Sequence, residues 1–125
     1  VGSRRRITVA LVGLVLLVLA GWLIRDAGTD ASAPVPLSSL PPEATATWRL
    51  IERGGPFPYP ANDGKTFANR ERRLPDRAPD HYREYTVPTP GSQDRGARRL
   101  ITGAGSELFY TADHYATFVT VDPTR

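Results

Sequence analysis

Glu84, Arg99 and His114 supply a carboxylate, a guanidinium and an imidazole on or beside three successive segments of the chain. That set can cleave a phosphodiester by acid–base chemistry: one group takes a proton, one gives a proton and one holds the anion. Strand alternation selects them. With 82–87 and 98–102 as strands, Glu84 and Thr86 share one face, Tyr85 and Val87 the other, and Arg99 shares a face with Ile101. His114 lies just before a further strand. Residue type and alternation alone do not separate this trio from a solvated Glu–Arg pair and a surface histidine.

The elements that must position the trio follow from patterning. Pro41-Pro42-Glu43 opens a helix, because proline suits a first turn and an acid suits the positive end. Ala44, Trp48 and Ile51 form one apolar stripe, and Gly54-Gly55 ends the helix, which places it over 42–53. A stiff loop, Gly55-Pro56-Phe57-Pro58-Tyr59-Pro60, and a turn at Asn62-Asp63-Gly64 follow. Short strands are then expected at 65–67, 71–73, 82–87, 98–102, 108–111 and 115–121. One helix followed by a run of strands means α+β, with the N-terminal helix packed on one face of a twisted antiparallel sheet.

Composition narrows the chemistry. Cysteine is absent, which excludes a disulfide scaffold, a thiol nucleophile and an iron–sulfur cluster. His81 and His114 are the only histidines, too few for a multi-histidine metal site. Ile7 to Ile24 is an 18-residue run, 15 of them apolar and none charged, preceded by Arg4, Arg5 and Arg6. This is the order of an export signal or a short membrane anchor, with the following chain exported. Ala31-Ser32-Ala33 and Val18-Leu19-Ala20 are two cleavage patterns, and the sequence leaves cleavage and retention both open. Residues 1–33 are thus read as signal or anchor plus linker, and 34–125 as the working domain. Residues 26–125 hold 12 basic and 13 acidic groups, so the chain's basic pI is a property of the leader and not a sign of nucleic-acid binding.

Seven strings occur in order: Leu40-Pro41-Pro42-Glu43-Ala44-Thr45, Gly55-Pro56-Phe57-Pro58-Tyr59, Phe67-Ala68-Asn69-Arg70-Glu71, His81-Tyr82-Arg83-Glu84-Tyr85-Thr86-Val87, Thr89-Pro90-Gly91, Arg95-Gly96-Ala97-Arg98-Arg99 and Tyr110-Thr111-Ala112-Asp113-His114-Tyr115-Ala116-Thr117-Phe118. Together they resemble the small bacterial guanyl-specific ribonucleases, the barnase-like microbial RNases, over about residues 36–123. The resemblance implies an endoribonuclease that cuts single-stranded RNA after guanosine through a 2′,3′-cyclic phosphate, as a monomer with no metal or cofactor. It implies Glu84 as general base, His114 as general acid, Arg99 and Arg95 as phosphate-binding arginines, and Tyr115 on the same phosphate. It implies a guanine loop of Phe67, Ala68, Asn69, Arg70 and Glu71. There Glu71 accepts from the base and the backbone of residues 68–70 donates to it.

A dedicated acidic inhibitor protein is a further partner that the resemblance implies. The product would be secreted, or held at the outer membrane face where the leader is retained. The alternatives are a catalytically weak RNA-binding or inhibitor-binding module on the same fold, and a membrane-anchored structural protein, which leaves the motifs unexplained. Arg70, Arg72, Arg73 and Arg77 read as a solvated basic face, Arg98 as a surface charge, and His81 as having no catalytic role. The chain departs from the family in lacking a disulfide between its ends, near Pro36 and Arg125. A missing bridge costs about 2–5 kcal/mol unless compensated. Ala68 also stands where relatives often carry a polar or aromatic residue.

Overall fold

The computed structural model describes residues 33–125. The apolar run and its cleavage patterns lie outside the described residues, apart from Ala33. The helix, α1, spans Pro42–Arg53, as the proline and glycine punctuation predicts. Gly54 closes it at φ 77°, and Gly54 and Gly55 donate back to the carbonyls of Ile51 and Leu50 at 3.2 and 2.9 Å. A left-handed residue here lets the last turn satisfy its free carbonyls, and glycine adopts that conformation without steric cost.

Six strands form one sheet: β1 (Val35–Pro36), β2 (Lys65–Phe67), β3 (Tyr82–Thr86), β4 (Arg99–Thr102), β5 (Leu108–Thr111) and β6 (Val119–Asp122). Their spatial order is β1-β6-β5-β4-β3-β2. Strands β2 to β6 are antiparallel neighbours, but β1 pairs with β6 in parallel, Val35 opposite Val121 and Pro36 opposite Asp122. The sheet is therefore mixed rather than wholly antiparallel. The reason is local: Val35-Pro36 enters beside the last strand before the chain turns into α1. Ser38 N donates to Arg125 O at 3.2 Å, so backbone hydrogen bonds join the two ends of the domain where relatives often use a disulfide.

Two other expectations are corrected. Residues 71–73 are not a strand: Asn69 and Arg72 have φ of 52° and 54°, and Arg72 N donates to Asn69 O at 3.0 Å, which closes a turn. The last strand begins at Val119 and not at Tyr115. His114 and Tyr115 stand at φ 56° and 72°, where extended pairing cannot continue.

The sheet buries both faces, and alternation sorts them. On one face Val87, Leu100, Leu108, Tyr110 and Val121 pack with Leu37, Ala44, Trp48 and Ile51. Thr47, buried in α1, donates its hydroxyl to Thr86 O at 3.1 Å. On the other face Tyr82, Ile101 and Phe109 pack with Leu74, and Phe67, Tyr115 and Phe118 cover them. Leu100 is fully buried beneath the helix, and truncating such a leucine to alanine costs about 2–5 kcal/mol. The helix thus holds the sheet rigid from behind, and the opposite face carries the polar constellation.

Candidate active site

The register of the central strands sets Thr86 opposite Arg99, Glu84 opposite Ile101, and Arg99 opposite Thr111. Glu84, Thr86 and Arg99 therefore project from the face away from α1. Arg99 is only 2% exposed. Its Nη1 donates to Arg98 O at 2.7 Å and weakly to Arg95 O at 3.4 Å, while its Nε has no hydrogen-bond partner. The centroid of the Tyr115 ring lies 6.0 Å from its guanidinium carbon.

Arg95 reaches the same place from the loop between β3 and β4. Its Nε donates to Thr86 Oγ1 at 3.0 Å, and its guanidinium carbon stands 6.0 Å from the centre of the Tyr59 ring. Nη2 lies 3.7 Å from Glu84 Oε1, near enough for attraction but too far for a hydrogen bond, and is buried without a hydrogen-bond partner. Buried donors are ordinarily satisfied, so unfilled N–H groups on two neighbouring cations mark a place built for an anion.

Tyr115 ties Glu84 to Phe67. Its hydroxyl donates to Glu84 Oε2 at 3.0 Å, and its ring stacks on Phe67 at 5.2 Å and 20°. Burial first, then the negative charge of Glu84, raises the tyrosine's pKa above its ordinary value, so it stays a donor. The His114 ring lies 4.9 Å from that of Tyr115 and is exposed to solvent.

Strained backbone puts His114 there. Asp113 accepts from Thr111 Oγ1 at 2.9 Å, Thr117 N at 2.9 Å and Thr117 Oγ1 at 2.6 Å, and His114 N donates to Ala97 O at 2.9 Å. Those donors, Thr117 foremost, hold the Asp113 carboxyl down at about 2.

Phe67, which ends β2, and Glu71, in the loop after it, stand beside His114 and Tyr115. Phe67, Glu71, Arg73, His114, Tyr115 and Ala116 line one cavity of about 440 Å³. Asn69 shapes the loop as its residue type suggests: its side chain donates to Leu74 O at 2.9 Å and accepts from Leu74 N at 3.1 Å. Ala68 and Arg70 are exposed on the loop. Glu84, Arg95, Arg99 and Tyr115 thus meet through direct contacts, Phe67, Glu71, His114 and Tyr115 share a cavity, and Ala68, Asn69 and Arg70 line a separate pocket. His81 is elsewhere, bonded to Glu107 at 3.1 Å. Arg98 is half-buried rather than fully exposed.

Sequence reasoning gave no role to Thr86, Asp63, Tyr59 or Asp113. Thr86 was visible as the residue two along from Glu84. Asp63 bridges Tyr59 N at 3.1 Å and Thr86 N at 2.7 Å, a long-range link that no local pattern announces. The spacing Thr111-x-Asp113-x-x-x-Thr117 was the available signal for the turn that carries His114.

Comparison with known proteins identifies the family. A ribonuclease family model matches residues 25–122. The guanyl-specific ribonuclease St of Saccharopolyspora erythraea is 58% identical over 90 residues, covering 72% of this chain and 88% of that protein. Guanyl-specific ribonuclease Sa of Kitasatospora aureofaciens is 56% identical over 96 residues, covering 76% and 99%. A solved structure of ribonuclease Sa2 in complexes with mononucleotides superposes with a TM-score of 0.71 at 48% identity, over 74% of this chain and 96% of that one.

Proposed function

The chain belongs to the ribonuclease family and is a guanyl-specific RNA endonuclease, and on that premise we propose the part each side chain of the groove plays. Glu84 takes the proton from the ribose 2′-OH of a bound guanosine. The freed oxygen attacks the adjacent phosphorus, the bond from phosphorus to the 5′-oxygen breaks, and His114 gives that oxygen its proton. The 2′,3′-cyclic phosphate so formed is opened by water, with His114 now taking a proton and Glu84 returning one, to leave a 3′-phosphate.

Arg95 and Arg99 hold the non-bridging oxygens. Their fixed N–H groups gain most where charge builds up, because they need not reorganise during the step. Tyr115, whose hydroxyl donates to Glu84, fixes that carboxylate beside the same phosphate. Glu71 and the backbone of Ala68, Asn69 and Arg70 select guanine, with Phe67 beside the base. A carboxylate that accepts from two guanine donors is left unpaired by adenine, which rejects it strongly. The nucleophile is the substrate's own 2′-OH, so single-stranded RNA is cut and DNA is spared.

The observation that carries these roles is the single hydrogen bond between Tyr115 and Glu84, 3.0 Å long, beside two guanidinium groups with unfilled donors. Incubation with GpN and ApN dinucleotides in EDTA tests them. Cleavage of GpN only, lost on His114→Ala and on Glu84→Gln, is expected. Retention of cleavage in either variant removes that residue from its role.

Export of the domain is proposed on the three arginines before the 18-residue apolar run. The N-terminal sequence of the protein in culture medium, or its recovery only with membranes, decides between secretion and tethering. An acidic inhibitor is proposed as a second partner of the groove, drawn by the same unfilled guanidinium donors. Sedimentation of the protein with acidic candidates tests it, and a single unshifted monomer boundary counts against it.

A further inference from the structure

The loop that reads guanine borders two pockets, and its residues divide between them. Glu71 and Arg73 line the cavity shared with His114. Ala68, Asn69, Arg70 and Arg72 line a second pocket, closed by Asp76, Arg77, Ala78, Pro79 and Tyr82. Two left-handed residues, Asn69 and Arg72, make this division possible.

Three exposed arginines, Arg70, Arg72 and Arg77, line that second pocket against a single acid, Asp76. The only ion pairs among the described residues are His81–Glu107 and Arg95–Glu84, so none of the three is paired with a carboxylate. Arg77 donates only to its neighbour's carbonyl, Asp76 O, at 3.0 Å. The wall behind is fixed: Tyr82 donates its hydroxyl to Pro75 O at 2.6 Å, and Asn69 holds Leu74 through two hydrogen bonds. The pocket measures about 270 Å³, below the range typical of drug-sized ligands, so it suits a phosphate rather than a second stacked base.

We propose that this pocket is a subsite for a backbone phosphate on the 5′ side of the bound guanosine. The inference rests on the roles given above. His114 protonates the 5′-oxygen of the leaving nucleoside, so the 3′ part of the RNA departs from beside His114, while guanine takes the cavity that Phe67 and Glu71 line. The pocket of Arg70, Arg72 and Arg77 shares no lining residue with the His114 cavity, and the strand that precedes guanosine is the part of the RNA left to reach it. Arginine's planar fork suits phosphate oxygens.

The experiment measures kcat/KM for GpN and for oligonucleotides with one to three nucleotides added 5′ or 3′ of GpN. The enzymes are wild type, the double variant Arg72→Gln/Arg77→Gln, and a control, Arg49→Gln/Arg53→Gln, which removes the same charge from α1. Wild type should gain about threefold to tenfold from 5′ extension, and the double variant should lose most of that gain relative to its own GpN rate, while the control keeps it. The salt dependence of the 5′-extended substrate should flatten by about 0.7 in log–log slope for each phosphate the variant no longer neutralises.

An unchanged gain in the double variant overturns the subsite. Equal losses in the control reduce it to general attraction, and loss confined to 3′ extension overturns the 5′ assignment. Inorganic phosphate that shifts the Arg72 and Arg77 NMR signals without any length gain would make the pocket a site for the free ion, against the proposal. Failure of wild type to cut GpN is a separate result, which refutes the underlying roles instead.

Discussion

Arg99→Met should make this protein more stable and nearly inactive. Arg99 is 2% exposed, has no carboxylate within 4.0 Å among the described residues, and leaves Nε without a hydrogen-bond partner. Moving a cation out of water costs several kcal/mol even after relaxation. Against that stand one good hydrogen bond, to Arg98 O at 2.7 Å, and one long one, to Arg95 O at 3.4 Å. A bond to a charged group contributes about 1.5–3 kcal/mol, and the long one contributes little. Methionine removes the buried charge, fills a similar volume and strands no acceptor at residue 98, whose carbonyl also accepts from Val87 N at 3.1 Å. The net gain should be about 1–3 kcal/mol, as for buried ionic groups replaced by apolar ones. For a domain of this size each kcal/mol raises Tm by about 4–8 °C.

The same substitution deletes preorganised donors to the scissile phosphate, which should cost about 10²–10³-fold in kcat. Thermal unfolding followed by circular dichroism, with GpN cleavage on the same samples, reads both effects. Inorganic phosphate should raise the wild-type Tm more than that of the variant, because binding to the native state stabilises it by mass action. A lower Tm for Arg99→Met would show that the guanidinium is held at a net gain. Undiminished cleavage would remove it from phosphate binding.

Tyr115→Phe keeps the stack on Phe67 but loses the hydrogen bond to Glu84, so kcat measured on GpN should fall about tenfold or more with little change in KM. Tyr82, Tyr110 and Tyr115 all have pKa values raised by burial, so each supports the fold below pH 10 and withdraws that support as pH rises through its native value; absorbance and stability should change together in an alkaline titration. Asp113, held at about 2, contributes stability that is present above its ordinary 3.8 and is lost as pH falls through about 2; Asp113→Asn should flatten that acid limb and lower kcat by loosening the turn under His114. Asn69→Ala removes two hydrogen bonds to Leu74, which should cost about 1–3 kcal/mol by urea unfolding and raise KM for GpN, since the guanine loop loses its brace.

What the chain announced in advance depended on how local the deciding force was. The ends of α1 were legible because proline, glutamate and glycine act within a turn of where they stand. The shared face of Glu84, Thr86 and Arg99 was legible because strand alternation has a period of two. Residues 71–73 misled because the side chain of Asn69 reaches forward to Leu74 and closes a turn through residues that otherwise suit a strand. The left-handed backbone at His114 and Tyr115 was hidden because neither is glycine; hydrogen bonds donated to the Asp113 carboxylate and the Ala97 carbonyl hold it. Strand β1 was hidden because two residues, Val35 and Pro36, carry no period. The parts of Arg95 and Tyr115 came only through family resemblance, and the depth of Arg99 is a property of three strands at once.

The strand order has a practical corollary for anything joined to this molecule. The chain enters at β1 and ends just after its neighbour β6, while β2 leads into the base-reading loop from the far edge. Five interstrand spacings, about 24 Å in all, separate the two edges. A surface linkage or affinity handle attached at Arg125, beside β6, would therefore sit a full sheet width from that loop, leaving RNA free to approach.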